Sequence, residues 1–424
     1  MNKRSFLKRL AAAGLGAALP GIGHANDSLL TNELAAAPIH PGDDAWARIR
    51  KDYLLPSNFI NLENGYYNIQ PQPVLNGFIE HVKEVNLLGA YYMRTVQEDN
   101  KKKVAARLAT LAGCNADELV ITRNTTESLD MIIGGIHWKE GDEAVMALQD
   151  YGAMLEMFAQ VAKRYGVVNR KVSLPNHPVN DEEIVQLYAS ALTPKTRLLM
   201  ISHMVNITGQ ILPVQKICDM AHSKGVEVMV DGAHAFAHIQ YRLPDLHCDY
   251  YGASLHKWLS TPLGAGILYV KKGKAENIWP LLAEGGTDLN DIVRLNHTGT
   301  HPVHTDLAIN NAIDYYQQVG PAAKEERLRY LQNYWTSKLR DTPGILLNTP
   351  ADPQRSCAIA NVGVKGMPPA QLAADLMNRY HVYTVAIDYP EAKVQGCRIT
   401  PNVFTTTAEL DVLVKALQTM AAGK

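Results

Sequence analysis

An acidic residue and a lysine stand 26 positions apart in the middle of the chain, and both have neighbours that suit cofactor chemistry. Asp231 follows the apolar run 226–230, and Lys257 comes directly after His256 and three positions after Ser254. A lysine amine can form a Schiff base with an aldehyde, and a carboxylate can keep a ring nitrogen protonated. The pair therefore indicates pyridoxal 5′-phosphate (PLP) as the cofactor, although either residue alone would be a weak signal.

The elements around Asp231 predict where this chemistry would lie in the fold. The apolar run ends at the acid and is bounded by Gly225 and Gly232, which is typical of a buried strand in a parallel sheet. Segments 197–202 and 214–225 precede it with strand-like and helix-like patterns, and such alternation predicts a mostly parallel, doubly wound sheet. Ligands of such sheets bind at the carboxyl ends of the strands, where Asp231 falls. Without Lys257, this acid would be interpreted as a turn or helix-cap residue.

Both segments resemble the class V aminotransferase family of fold-type I PLP-dependent enzymes. Residues 231–234 (Asp-Gly-Ala-His) and 254–257 (Ser-Leu-His-Lys) match the family's strand end and lysine loop at the family's spacing. The resemblance runs from about residue 58 to the C-terminus. It implies an α/β fold-type I PLP-dependent transferase, with a mostly parallel, seven-stranded sheet in a large domain and a smaller α+β C-terminal domain. It also implies a homodimer with a shared active site.

Residues 122–128 (Thr-Arg-Asn-Thr-Thr-Glu-Ser) follow a short strand and open a helical pattern. Asn124 and Glu127 approximate a capping box, and a helix N-terminus offers free N–H groups to a phosphate. By itself the run predicts only a well-capped helix. Because it is similar to the family's phosphate loop, the resemblance assigns Thr125 and Thr126 to the cofactor phosphate.

The resemblance implies further contacts with the cofactor. Tyr151, after a strand, matches the residue that stacks on the pyridine ring, and Asn206 matches the one that binds the phenolic oxygen. Ser254 and His256 would help to anchor the phosphate. His234 would position the ring or act on the substrate.

Two other regions match the family less closely. Thr300 lies in a loop that resembles one reaching the partner subunit's phosphate, although His301 replaces the family's proline. Arg398 matches the arginine that grips a substrate carboxylate, a task that suits its planar fork of donors. Asn64 and Tyr66 belong to an early turn that borders the substrate pocket in the family. Without the resemblance, Arg398, Asn64 and Tyr66 would be interpreted as surface residues.

The reaction is less determined than the cofactor. Lys257 is expected to act as a general base at the α-carbon, with Asp231 as the partner of the ring nitrogen. Segment 382–390 lacks the nucleophilic cysteine of cysteine desulfurases, so we expect another reaction. The chain is most similar to the isopenicillin N epimerase-like branch, which includes exported enzymes that act on peptide siderophores. A transaminase of small amino acids with a 2-oxo acid, a lyase, and a non-catalytic α/β binding protein remain alternatives.

Composition excludes several other classes of protein. The 424 residues carry a net charge of −1 with 20% charged residues, and no basic stripe indicates nucleic acid. The five cysteines are scattered without a C-x-x-C, which predicts neither a disulfide framework nor a metal site. The expected partner is a small-molecule amino acid or peptide.

The N-terminus predicts export. Residues 1–25 have a basic start, an apolar stretch too short to span a membrane and a small-residue ending. Residues 3–8 (Lys-Arg-Ser-Phe-Leu-Lys) resemble a twin-arginine motif with lysine in the first place, and an ordinary basic amphipathic N-terminus is the alternative. The expected organisation is a signal at 1–25, an irregular arm at 26–58, a PLP-binding domain at 59–305 and a linking helix with the small domain at 306–424. The expected location is the periplasm or another exported one.

Overall fold

The computed structural model describes residues 43–282 and 288–423, so the predicted signal and most of the predicted arm lie outside the described residues. The part of the arm that is described differs from the prediction of irregular structure, because Asp43–Arg50 form a helix, α1. Trp46 and Ile49 are both buried in the main core. Residues three apart share one face of a helix, and burial of this face explains why the segment is ordered.

A strand and a series of alternating helices and strands make up the first two thirds of the described chain. In chain order they are Ile60–Asn61 (β1), Gln72–Leu88 (α2), Ala90–Thr95 (α3), Gln97–Ala112 (α4), Leu119–Thr122 (β2), Thr125–Gly135 (α5), Glu143–Ala147 (β3), Gly152–Tyr165 (α6), Val168–Val172 (β4), Asp181–Ala191 (α7), Thr196–Ser202 (β5), Val214–His222 (α8), Glu227–Asp231 (β6), Tyr250–Ser254 (β7) and Gly266–Val270 (β8).

Seven of these strands form one sheet in the order β2-β8-β7-β6-β5-β3-β4. Strand β8 is antiparallel to both of its neighbours, and the other pairs are parallel, which confirms the predicted mostly parallel sheet of an α/β fold. Ser202 lies opposite Asp231, and Asp231 lies opposite Gly252. The carboxyl ends of these strands therefore meet at one edge of the sheet.

Both faces of the sheet are covered. Val228 and Val230 of β6 belong to a core cluster that includes Ile217 of α8, whereas Met229 between them belongs to a cluster with Phe158 of α6. Side chains alternate between the faces of a strand, so a run that is apolar throughout requires apolar packing on both sides. This burial makes the strand ends a rigid support for polar side chains.

The last third of the chain forms a second, antiparallel sheet with its own core. Its elements are Val303–Val319 (α9), Pro321–Ser337 (α10), Ile345–Leu347 (β9), Ala360–Val364 (β10), Pro369–Tyr380 (α11), Val382–Tyr383 (β11), Val385–Tyr389 (β12), Val394–Ile399 (β13) and Thr407–Ala421 (α12). The sheet order is β12-β13-β10-β9. Strand β1 pairs in parallel with β11, and Leu62 packs in the C-terminal core. This pairing holds the turn after β1 beside the end of β13. The domain limits at 59 and 306 stay predictions.

Candidate active site

A cavity of about 330 Å³ lies at the carboxyl edge of the large sheet. It brings together most of the residues predicted from the sequence, although they come from segments between positions 66 and 398. Those that line it are Tyr66, Thr125, Thr126, Tyr151, Asn206, Asp231, His234, Ser254, His256, Lys257 and Arg398. Asn64 and Thr300 are not among the lining residues.

Asp231 is the last residue of β6 and lines the cavity. Its Oδ1 accepts a hydrogen bond from the N–H of Ala233 at 2.9 Å. Burial raises the pKa of Asp231, and the charge of Lys257 and the bond from Ala233 oppose this rise. The next residue must be small, because a Cβ at Gly232 would lie 1.8 Å from Cζ of Tyr251.

The amine of Lys257 lies close to His234. Lys257 Nζ is 3.1 Å from His234 Nε2, and the backbone carbonyl of Lys257 accepts a 2.5 Å hydrogen bond from Asn68. Burial lowers the pKa of Lys257 to about 8; Asp231 opposes this change, and Arg398 adds to it. A lysine with such a pKa has a substantial neutral, nucleophilic fraction near neutral pH.

The other nitrogen of His234 has a partner that the sequence analysis did not single out. Trp258 Nε1 donates to His234 Nδ1 at 3.4 Å, and its ring stacks on His238 with centroids 3.6 Å apart. An indole nitrogen is only a donor, so Nδ1 of His234 carries no proton. Burial lowers the pKa of His234 well below its usual range, and the neutral ring then has its proton on Nε2, facing Lys257.

The N-terminus of α5 forms another part of the cavity wall. As predicted, Asn124 caps the helix, because its side chain accepts the N–H of Glu127 at 2.8 Å. The second half of the predicted box differs, since the Glu127 carboxylate accepts the N–H of Arg123 at 2.6 Å instead of that of Asn124. Ser254 Oγ accepts the N–H of Thr125 at 2.9 Å and lies 2.7 Å from its hydroxyl. Ser254 thus connects the end of β7 to the first turn of α5.

This donor set fits PLP. The hydroxyls of Thr125, Thr126 and Ser254 stand at a helix N-terminus, as a phosphate requires. Lys257 supplies the amine for an aldehyde, and Asp231 supplies the carboxylate for a ring nitrogen. His256 also lines the cavity, and burial together with the charge of Lys257 lowers its pKa to about 4, so it is neutral at physiological pH.

Arg398, predicted to grip a substrate carboxylate, is paired with a carboxylate of the chain itself. Its Nη2 lies 2.5 Å from Oε1 of Glu63, and its Nε donates to Oε2 at 3.2 Å. Its Nη1 donates to the carbonyl oxygen of Asn206 at 3.2 Å. Glu63 could not be predicted as the partner of Arg398, because no spacing rule connects residues 335 positions apart.

The structure places the remaining predicted residues as follows. Asn64 is fully buried, and its side chain donates to the carbonyl of Thr400 at 2.7 Å, which differs from the predicted substrate contact. Tyr66 and Tyr151 stand at the cavity with 75% and 43% of their surface exposed. Thr300 is exposed in the loop before α9, outside the cavity lining. Its predicted contact with a partner's cofactor stays a prediction.

Within 43–282 and 288–423, there is no cluster of three or more His, Cys, Asp or Glu side chains arranged to hold a metal ion. In the same ranges, none of the helices combines the length and the apolar character that a membrane crossing needs.

Comparison with known proteins agrees with the geometry. Isopenicillin N epimerase of Streptomyces clavuligerus is 29% identical over 395 residues, covering 88% of this chain and 98% of the relative. The apo cysteine desulfurase of Thermococcus onnurineus NA1 superimposes with a TM-score of 0.80 at 19% identity, covering 92% of this chain and all of that chain.

A variant of the cystine C–S lyase C-DES, with glycine covalently linked to its PLP cofactor, superimposes with a TM-score of 0.79. The identity is 20%, with 87% of this chain and 98% of that chain covered. The family described as Aminotransferase class-V matches residues 71–386, about three quarters of the sequence. The chain therefore belongs to the class V aminotransferase family, whose cofactor is PLP.

Proposed function

We propose that this protein is a PLP-dependent enzyme that transfers a proton at the amine-bearing carbon of an amino acid or peptidyl substrate, as an isopenicillin N epimerase-like enzyme would. The observation that carries this proposal is the contact of Lys257 Nζ with His234 Nε2 inside a cavity that also contains Asp231. PLP, when bound, supplies an electron-withdrawing ring that stabilises negative charge on that carbon.

The side chains of the chain itself divide the remaining work. Lys257, when its amine is free, accepts the proton from the substrate carbon, which a pKa of about 8 permits at neutral pH. His234 lies 3.1 Å from Nζ and, while the amine is neutral and no substrate is bound, donates its Nε2 proton to it, which holds the amine in place in the cavity. Tyr66 and Tyr151 line the cavity and are themselves exposed to solvent.

A desulfurase reaction is not what we propose, although the solved structures above include a desulfurase. Such a reaction needs a reactive thiolate. None of the five cysteines lines the cavity, and four are buried. Burial raises the pKa of Cys397, the one next to Arg398, to about 11. A transaminase of small amino acids is an alternative outcome of the experiment below.

Proton NMR of the PLP-loaded enzyme in deuterated water tests the reaction. With a panel of amino acids and small peptides, we expect exchange of the α-proton and loss of optical purity while the cofactor stays as PLP. Conversion of the cofactor to pyridoxamine phosphate, with a 2-oxo acid appearing, would show transamination instead. Absence of any covalent contact between Lys257 and PLP would support a non-catalytic binding protein.

We also propose that the protein is exported by the twin-arginine route. Support comes from residues 1–25 and from the need to load PLP where the chain folds, since this route carries folded proteins. Cell fractionation should place the wild-type protein outside the cytoplasm, and Arg4→Lys should retain it inside. Arg48→Lys, in the described region of the chain, is the matched control and should not change the location.

We propose in addition that the protein forms a homodimer. Its support is a set of large apolar side chains between β8 and α9 that are more than two fifths exposed, a feature typical of contact surfaces. They are Trp279, Leu281, Leu282, Leu289 and Val293. Light scattering during size-exclusion chromatography should give twice the mass of the chain, and Trp279→Lys should shift the protein toward the monomer.

A further inference from the structure

Arg398, the expected substrate-binding arginine, forms an ion pair with Glu63, and the pair as a whole has no net charge. The side chains of Arg398 and Glu63 are only 8% and 6% exposed, and two hydrogen bonds join them. Arg398 lines the cavity at this point. The arginine therefore contributes donors to the cavity wall but little net positive charge.

Glu63 is held firmly in this position. Its Oε1 also accepts the N–H of Tyr66 at 2.9 Å, and its own N–H donates to the side chain of Asn61 at 3.1 Å. The backbone packs against the guanidinium, because a Cβ at Gly65 would lie 2.9 Å from Cζ of Arg398. Moving the carboxylate aside would break three hydrogen bonds and leave a buried charge unpaired, which is costly.

The guanidinium of Arg398 has more N–H donors than its neighbours in the cavity wall accept. A guanidinium has five N–H groups. Glu63 accepts two of them and the carbonyl of Asn206 accepts a third, so two N–H groups, one on Nη1 and one on Nη2 of Arg398, have no acceptor among the described residues. A neutral carbonyl oxygen can accept from these donors. A carboxylate would bring a second negative charge to a cation that Glu63 already neutralises, beside the carbonyl oxygen of Asn206.

We propose that Glu63 is a specificity-determining residue, which makes the cavity accept a neutral carbonyl, as in an amide or peptide bond, in preference to a free carboxylate on the amine-bearing carbon. The substrate class would then be a peptidyl or amidated amine. This inference rests on the proposed function, since it takes Lys257 as the place where the amine reacts.

Binding of matched ligands to the PLP-loaded enzyme tests this inference. Each amino acid in a panel is compared with its own α-carboxamide, and the dissociation constant is measured from the change in cofactor absorption, corrected for the ionisation of the ligand amine. We expect the wild type to bind the amides at least about tenfold more tightly than the free acids. Glu63→Gln keeps an acceptor for Arg398 but removes the charge, so it should shift the ratio at least about tenfold toward the acids.

Glu409→Gln is the matched control, because Glu409 also pairs with an arginine, Arg50, but does not line the cavity. It should leave the ratio of the two dissociation constants unchanged. Tighter binding of the free acids by the wild type, or a ratio unaffected by Glu63→Gln, would overturn the inference. If Glu63→Gln fails to fold, the ratio of the acid and amide dissociation constants of the wild type tests the inference by itself. Amide binding without α-proton exchange would contradict only the proposed function, and exchange confined to free acids would contradict only this inference.

Discussion

Nε2 of His234 lies 3.1 Å from Nζ of Lys257, and the two residues follow neighbouring parallel strands of the large sheet. Trp258 donates to the other ring nitrogen of His234, so the proton of the neutral ring faces the lysine amine. A neutral imidazole that donates to Nζ favours a neutral amine, in agreement with the lowered pKa of Lys257. The contact thus connects the tautomer of His234 to the reactivity of the Lys257 amine.

Borohydride reduction of the PLP-loaded protein should fix the cofactor on Lys257. Mass spectrometry of the digested protein should show the adduct on the peptide that contains this residue, and Lys257→Ala should abolish both adduct and activity. Lys324 is a suitable internal control, because burial also lowers its pKa, to about 7, yet it does not line the cavity. Modification of Lys324 instead would show that low pKa alone, and not the site, selects the lysine.

The pH dependence of cofactor capture follows from the pKa of Lys257. Below about pH 8 most of the amine is protonated and only the remaining neutral fraction can react, so the rate at which the apoprotein captures PLP should rise about tenfold per pH unit and level off above pH 8. Stopped-flow absorbance can follow this reaction, with Nα-acetyl-lysine as the reference amine. A rate that keeps rising to pH 10, as for the reference, would contradict the lowered pKa.

Asp231→Asn should keep the fold but weaken catalysis. The asparagine can still accept the N–H of Ala233, whereas it cannot hold a ring nitrogen protonated. We expect turnover to fall about 100-fold or more, with the cofactor still bound to Lys257. The variant should also move the midpoint of PLP capture to lower pH, because the charge of Asp231 opposes the lowering of the Lys257 pKa.

Asp249→Asn provides the comparison for this variant. Asp249, directly before β7, is also a buried carboxylate, and it accepts the N–H of Val228 at 2.8 Å away from the cavity. Loss of this charge can lower the midpoint of thermal unfolding but should not move the pH midpoint of PLP capture. Equal effects of both substitutions on capture would mean that Asp231 acts only through stability.

Trp258→Phe should allow the proton of the neutral His234 ring to occupy either nitrogen. Phenylalanine retains an aromatic ring beside His238 but has no N–H for His234 Nδ1. ¹⁵N NMR should show the proton on Nε2 in the wild type and a mixture of tautomers in the variant, with activity reduced roughly tenfold. Trp138→Phe is the control, since Trp138 is another buried tryptophan whose Nε1 donates to the carbonyl of Ile133 at 2.7 Å. It should leave the His234 signals unchanged.

Thr125→Val should weaken the binding of PLP without removing the lysine. The substitution keeps the shape of the side chain but removes a hydroxyl that lies 2.7 Å from Ser254 Oγ at the N-terminus of α5. Equilibrium dialysis should show a rise of about tenfold in the dissociation constant of PLP. Thr110→Val, at an exposed position of helix α4 where the hydroxyl donates to the carbonyl of Ala106 at 3.0 Å, should not change it.

Short-range patterns determined much of what the sequence shows by itself. The strand that ends at Asp231, the loop from Ser254 to Lys257 and the cap of α5 by Asn124 are each encoded within a few residues, through apolar periodicity and the hydrogen-bonding capacity of single side chains. Because the carboxyl ends of parallel strands share one edge, these local features also indicated that their side chains meet in one cavity.

Only the tertiary structure decided which distant residues pair inside that cavity. Glu63 reaches Arg398 because β1 adds to β11 and holds the following turn beside β13, and the same arrangement turns Asn64 toward Thr400. Trp258 meets His234 through the packing of two loops. Such contacts depend on how separate segments pack against each other. The pattern of apolar residues within either segment does not predict this packing. The sequence therefore indicated the cofactor chemistry, whereas the pairing of Glu63 with Arg398 at the cavity wall depends on long-range packing.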